Sequence, residues 1–220
     1  MPVQHNIREI VDGLPEEAVL TLDGVEWEEY EQVLQDLDGR RGVRISYDCG
    51  RLDIVTTSPG HERRKDFLLG LVHEVSVGLD IPMESFGQAT WQLKRLRKGA
   101  EADTCFYVAG ASMVVGREHI TLGVDPPPDV VVEIDVSSQS DRKFPIYAAF
   151  QVPEVWQFKA GGVKFFALQG QKYAETPASI SFPILTSAVV TRYLRRSEVE
   201  GLLTSLKAFR RWVRRQKQAS

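Results

Sequence analysis

Apolar side chains recur along this chain in two periods, and the changes of period mark out its elements. From Val25 to Leu37, Trp27, Tyr30, Val33, Leu34 and Leu37 fall at helical spacing with acids facing outward. Gly39 and Gly42 bracket a turn, after which Val43–Tyr47 and Arg51–Thr57 read as strands joined through Asp48-Cys49-Gly50, a plausible hairpin turn. Ser58-Pro59-Gly60 interrupts the pattern. A helix is predicted from His61 to about Leu79, where Phe67, Leu68, Leu71, Val72, Val75 and Leu79 keep the helical period.

Strand-like pieces follow at Glu84–Leu93, Thr104–Val108 and Val130–Val136, the last introduced by Pro126-Pro127-Pro128, which no helix accommodates. Phe144–Phe150 reads as a short helix ended by Val152-Pro153. Glu154–Phe158 and Val163–Leu168 then form strands around Gly161-Gly162, and Gln171–Ala174 adds a further strand. Two helices, roughly Leu185–Leu194 and Ser197–Gln216, close the pattern. The expectation is one mixed α/β domain over residues 1–220: a helical extension at 1–40, an α/β core at 41–178 and basic helices at 183–217.

Composition changes this picture little. With 43% apolar and 26% charged residues the chain fits an ordinary globular protein, which excludes collagen-like and disordered classes. Cys49 and Cys105 form no metal or disulfide framework, so a reducing compartment is expected. Met1–Gly24 has no apolar run of signal-peptide length, and no stretch approaches the ~20 residues that span a bilayer. A cytoplasmic protein without a membrane segment is expected. Charge is uneven: from Arg192 onward nine cations meet only Glu198 and Glu200, although the whole chain carries −3. Such a basic end beside an acidic body serves a nucleic acid, an acidic partner or self-association, or is simply a solvated helix face.

Candidate chemistry concentrates between Lys98 and Trp156. On the strand Val130-Val131-Val132-Glu133-Ile134-Asp135, alternation places Val132 and Ile134 on one face and Glu133 and Asp135 on the other. Carboxylates on a well-covered strand need a compensating cation or donors. With Asp103, which directly precedes another strand, they would supply hard oxygen ligands of the kind Mg²⁺ or Mn²⁺ takes. Alternatively, Glu133 and Asp135 pair with an arginine or cap a helix. His61, His73 and His119 show neither HExxH nor HxH, which argues against a zinc hydrolase. Gly99, Gly110 and Gly116 form no phosphate loop, and Ser137-Ser138 lacks a nucleophile elbow and reads as a turn or cap.

Pro128-Asp129-Val130-Val131-Val132-Glu133-Ile134, Ser137-Ser138, Asp141-Arg142-Lys143, Tyr147-Ala148-Ala149 and Val152-Pro153-Glu154-Val155-Trp156 together resemble the signature of the Uma-two family. These are restriction-endonuclease-like proteins of the PD-(D/E)XK nuclease superfamily, common in cyanobacteria. Glu101-Ala102-Asp103-Thr104-Cys105-Phe106-Tyr107 is similar to that family's Glu-Pro-Asp-Thr-Cys-Phe-Tyr element, and Phe209-Arg210-Arg211-Trp212 to its closing helix. The resemblance runs from about Asp38 to Val213.

It implies a central mixed sheet flanked by helices, acting as a Mg²⁺- or Mn²⁺-dependent endonuclease on DNA, usually as a homodimer. Asp103 and Glu133 take the places of the two metal-holding acids. Asp135 stands where a catalytic lysine is expected, so it becomes a further metal ligand and Lys143 a displaced catalytic cation. The alternative is a module that kept the fold and lost catalysis, binding nucleic acid or protein, or an esterase for small nucleotides. Superfamily sites are often completed by an acid on the first core helix, either Glu62 or Glu74. Twelve positions at ~100° per residue set these about 120° apart, so only one can face the site, and Glu62 at the helix start suits better. Tyr147 and Trp156 read as core aromatics.

Overall fold

The computed structural model describes residues 7–135, 140–159 and 161–219. After a short helix α1 (Ile7–Asp12), strand β1 (Val19–Asp23) precedes helix α2 (Trp27–Asp36), whose start is fixed by a capping box between Glu26 and Glu29. The N-terminal region is therefore not wholly helical, as its pattern suggested: β1 pairs antiparallel with the hairpin that follows. That hairpin is β2 (Val43–Asp48) and β3 (Arg51–Thr56), turning through Cys49 (φ 49°) and Gly50 (φ 105°), the left-handed pair that a two-residue hairpin favours.

Helix α3 (Pro59–Leu79) starts where Ser58 caps it, its hydroxyl accepting from the His61 amide at 3.2 Å, and ends on Asp80 in a left-handed conformation. Residues 84–93, which read as one strand-like piece, are two strands of different sheets: β4 (Glu84–Ser85) and β5 (Thr90–Leu93), separated by a turn at Gly87 with φ 57°. Next come β6 (Lys98–Glu101), β7 (Thr104–Tyr107), a single helical turn α4 (Ala111–Val114), β8 (Val130–Ile134) and α5 (Phe144–Ala149). The chain continues through β9 (Glu154–Lys159), β10 (Gly162–Gln169) and β11 (Lys172–Thr176) to α6 (Ser187–Glu200) and α7 (Leu202–Ala219). The break between the last helices falls at Gly201, not between Leu194 and Ser197, because the buried Ser197 hydroxyl donates back to the Leu194 carbonyl and the helix runs on. Ser137-Ser138 and the expected strand end at Val136 lie outside the described residues.

The mixed α/β class holds, and its strands divide between two sheets. One, in the order β1-β3-β2-β6-β5, is antiparallel throughout. The other, β11-β10-β9-β8-β7-β4, is antiparallel except for the β8–β9 pair, which the α5 crossover makes parallel. Along β8, Val130, Val132 and Ile134 face a core shared with α3, α6 and α7, while Val131 faces a second core with Ile146 and Tyr147 of α5. Beneath the first sheet, α2 packs Trp27 and Tyr30 against Tyr47. Gly99 in β6 is required here, since a Cβ would overlap the Tyr30 hydroxyl. No described helix is long and apolar enough to cross a membrane.

The chain leaves one sheet at Glu101 and enters the other at Thr104, so Asp103 stands at the seam between them. The N-terminus of α3 and the end of β8 reach the same seam.

Candidate active site

The seam opens into a cleft whose lining includes Arg44, Ser46 and Asp53 from one sheet, Asp103, Glu133 and Asp135 from the other, and His61, Ser140 and Lys143. Asp103, 2% exposed, is held by three polar partners. The Arg44 guanidinium donates to Oδ1 at 2.8 Å, the Ile134 amide donates to Oδ2 at 2.7 Å, and His61 Nε2 lies 3.0 Å from Oδ2. Burial raises the Asp103 carboxyl, but His61, Lys143 and Arg44 outweigh it and hold the group well below the usual carboxylate range.

Glu133, equally buried, behaves oppositely. Lys143 Nζ donates to its Oε2 at 2.9 Å, and the Tyr147 hydroxyl donates to Oε1. Burial and the nearby Asp103 charge nevertheless push the Glu133 carboxyl up to about 7, against Lys143 and Tyr147. Burial works against the Lys143 ammonium too, yet Glu133 and Asp103 raise it, so it stays charged. Its second hydrogen bond goes to the Glu101 carbonyl at 2.9 Å. One cleft thus holds two carboxylates that titrate far apart, a pattern typical of sites where environment assigns different work to like groups.

The remaining expected residues are placed as follows. Asp135 accepts from the Ser140 amide and hydroxyl at 3.0 and 2.6 Å and from Gln157 Nε2 at 3.0 Å. Both of its oxygens are engaged in capping the 3₁₀ turn Ser140–Lys143 that carries Lys143, which is the capping alternative rather than that of an open ligand. Glu62 sits at the mouth, 3.1 Å from Arg44 Nη2 and 3.3 Å from His61 Nδ1, and paired with Lys65. Burial raises its carboxyl, but Lys65, Arg44 and His61 hold it below its ordinary value. Glu74 is elsewhere, bonded to Arg210 of α7 at 2.7 and 2.5 Å. Trp156 is a core residue, as its position suggested, whereas Tyr147 combines a fully buried ring with a bond to Glu133.

Two members of the site had no signal in a functional reading of the sequence. Arg44 is the sole charge among Val43–Tyr47, and that interruption of a strand's apolar run is the trace it left. His61 has no motif partner; its place in the first turn after the Ser58 cap is what aims it at Asp103.

No group of three His, Cys, Asp or Glu side chains among the described residues converges to cage a metal. Mg²⁺, however, is commonly held by one or two carboxylates, its other positions going to water and substrate phosphate. Asp103 and Glu133, hard oxygen donors lining the same cleft, fit that requirement and do not fit a zinc site.

Residues 27–191 match the Uma2 family, described as "Putative restriction endonuclease". The matched span covers every cleft residue named above, though not Glu17, which also lines the cleft, and it stops short of α7, leaving Phe209-Arg210-Arg211-Trp212 outside it. A crystal structure of "a putative nuclease belonging to DUF820" from Anabaena variabilis shares the fold, with a TM-score of 0.51 and 14% identity over 77% of this chain and 99% of that one. No curated protein matches the chain.

Proposed function

The chain belongs to the Uma2 family, and from that premise we propose that it is an endonuclease hydrolysing phosphodiester bonds in DNA. The observation that carries this reading is the meeting of Asp103, Glu133 and Lys143 in one cleft at the ends of adjacent strands. Asp103 and Glu133 would hold Mg²⁺ or Mn²⁺, which when bound supplies Lewis-acid stabilisation of phosphate charge and an activated water.

The protein's own groups prepare that site. Arg44, His61 and the Ile134 amide keep Asp103 ionised and fix both of its oxygens. Tyr147 and Lys143 orient Glu133, and Lys143 holds a positive charge where a phosphate would approach. Asp135 acts through the turn it caps, setting Lys143 ten residues after the glutamate instead of two. Glu62 lies at the mouth within reach of an incoming water or cation. A cytoplasmic homodimer is the expected form, two copies addressing two strands.

One observation favours a second reading. Arg44, His61 and Lys143 already compensate both carboxylates, as they would in a module that kept the fold for binding alone. Incubation of supercoiled plasmid with Mg²⁺ or Mn²⁺ separates the two. Metal-dependent nicking or linearisation by the wild type that is lost in Asp103→Ala and Glu133→Ala supports the nuclease. An inert wild type that shows no metal binding by calorimetry supports the module, and cleavage confined to dinucleotides supports the small-substrate esterase.

A further inference from the structure

A nuclease of this kind must hold a polyanion across its cleft, and the cation-rich segment from Arg192 onward is badly placed to do so. Helix α7 runs alongside α3 in the same direction, with Arg210 on Glu74 and Lys217 on Asp80. The cleft lies at the other end of α3, near Glu62, and eighteen residues of helix separate Glu62 from Asp80, or roughly 27 Å at ~1.5 Å per residue.

Positive charge of a different sort lies beside the cleft. In the β2–β3 pairing, Ser46 faces Asp53 and Asp48 faces Arg51, so alternation places these side chains on the same side of the sheet as Arg44. Ser46 and Asp53 line both the cleft and an adjoining pocket that Arg51 and Arg142 also line. Asp53, 7% exposed, accepts from the Thr21 hydroxyl on Oδ1 at 2.5 Å. Its Oδ2 is shared by two guanidiniums, Arg51 Nε at 3.5 Å and Arg142 Nη1 at 3.6 Å.

At those separations the carboxylate tethers both arginines without a well-formed hydrogen bond to either. Among the described residues Arg51 otherwise reaches only Asp23, at 3.9 Å, and Asp48 is engaged by Lys98. Two positive charges therefore meet one buried negative charge, and two half-exposed guanidiniums retain forked donors of the geometry a phosphate accepts bidentately. Arg142 also reaches across from the turn that carries Lys143, so an anion held here lies one residue from the catalytic cation in the chain.

We propose that Arg51 and Arg142, tethered by Asp53, form a phosphate-binding station for the nucleic-acid backbone leading into the cleft. The station rests on the nucleic-acid reading given above and names the side chains that would carry it. Arg51 lies four strand positions from the row of Arg44, roughly 13 Å at ~3.3 Å per residue, which one strand of a duplex covers in about four phosphates. The contact is to backbone alone, so it adds affinity and register but no sequence preference.

The test is fluorescence anisotropy of labelled duplexes of two unrelated sequences, with Ca²⁺ replacing Mg²⁺ so that bound DNA is not cut. Each counterion released contributes about fivefold at ~0.15 M salt. Arg51→Gln and Arg142→Gln should each weaken binding about fivefold on both sequences, and the double variant about thirtyfold, with the salt slope about two smaller in magnitude. Arg142→Lys should restore part of the loss. Wild-type affinity and salt slope in a double variant with an unchanged melting curve would overturn the station. Failure of the wild type to bind either duplex overturns the station and the DNA reading together. Plasmid cleavage by the same preparation reads the nuclease assignment separately: arginine-dependent binding without cleavage upholds the station and removes the nuclease.

Discussion

Glu133→Gln isolates the electrostatic cost of keeping this site ready. The Glu133 carboxyl rises from its ordinary 4.5 to about 7 in the folded chain, chiefly through burial. A group whose folded value is raised contributes stability that is complete below its unfolded value and is lost as pH climbs through the folded one. For Glu133 that window runs from about pH 4.5 to pH 7. At ~1.36 kcal/mol per pH unit the whole effect is about 3 kcal/mol, most of which falls between pH 5 and pH 8. Glutamine keeps the shape and cannot ionise, so urea unfolding in EDTA should show the variant gaining about 2–3 kcal/mol on the wild type from pH 5 to pH 8. Asp103 does not interfere in this window: its depressed carboxyl contributes stability present above its ordinary 3.8 and lost only as pH falls further. In Lys143→Met the cation that favours ionised Glu133 is gone, so the wild-type decline should move to higher pH. Parallel pH profiles for wild type and Glu133→Gln would refute the account, because a Glu133 that titrates normally imposes no such cost.

Arg44→Met should cost about 3–5 kcal/mol in urea unfolding at pH 7, since it strips a 3%-exposed guanidinium from buried Asp103; a loss below about 1 kcal/mol would mean that His61 and the Ile134 amide suffice. Gly99→Ala should cost about 3 kcal/mol or more, because the Tyr30 hydroxyl that its Cβ would overlap belongs to a ring stacked at 4.8 Å on Tyr47 and has nowhere to go; an unchanged melting temperature would show that α2 shifts freely over β6.

Local pattern carried much of this fold. The helical period after Ser58-Pro59 marks α3, the Cys49-Gly50 turn marks the hairpin, and the alternation in Val130–Ile134 puts Glu133 on the face opposite Val132. Each of these follows from contacts between residues a few positions apart. Asp103 and Glu133 stood out as carboxylates next to apolar strands, and the pattern around them pointed to the family whose model residues 27–191 match.

Tertiary structure decided the rest. Nothing local in Lys98-Gly99-Ala100-Glu101 announces a strand, because β6 exists by pairing with β2 and β5 over the Tyr30 ring. The division into two sheets, which opens the seam, depends on which distant strands pair. Arg44 meets Asp103 across 59 positions and His61 across 42, and neither side chain carries a local sign of that meeting. The same holds for Asp135, which the strand alternation offers as a ligand and which Ser140 and Gln157 turn into a cap. Periodicity records which face of an element is buried; it is silent on which charges share that burial. A buried carboxylate's chemistry is set by its partners within a few ångströms, and those arrive only when the chain has folded.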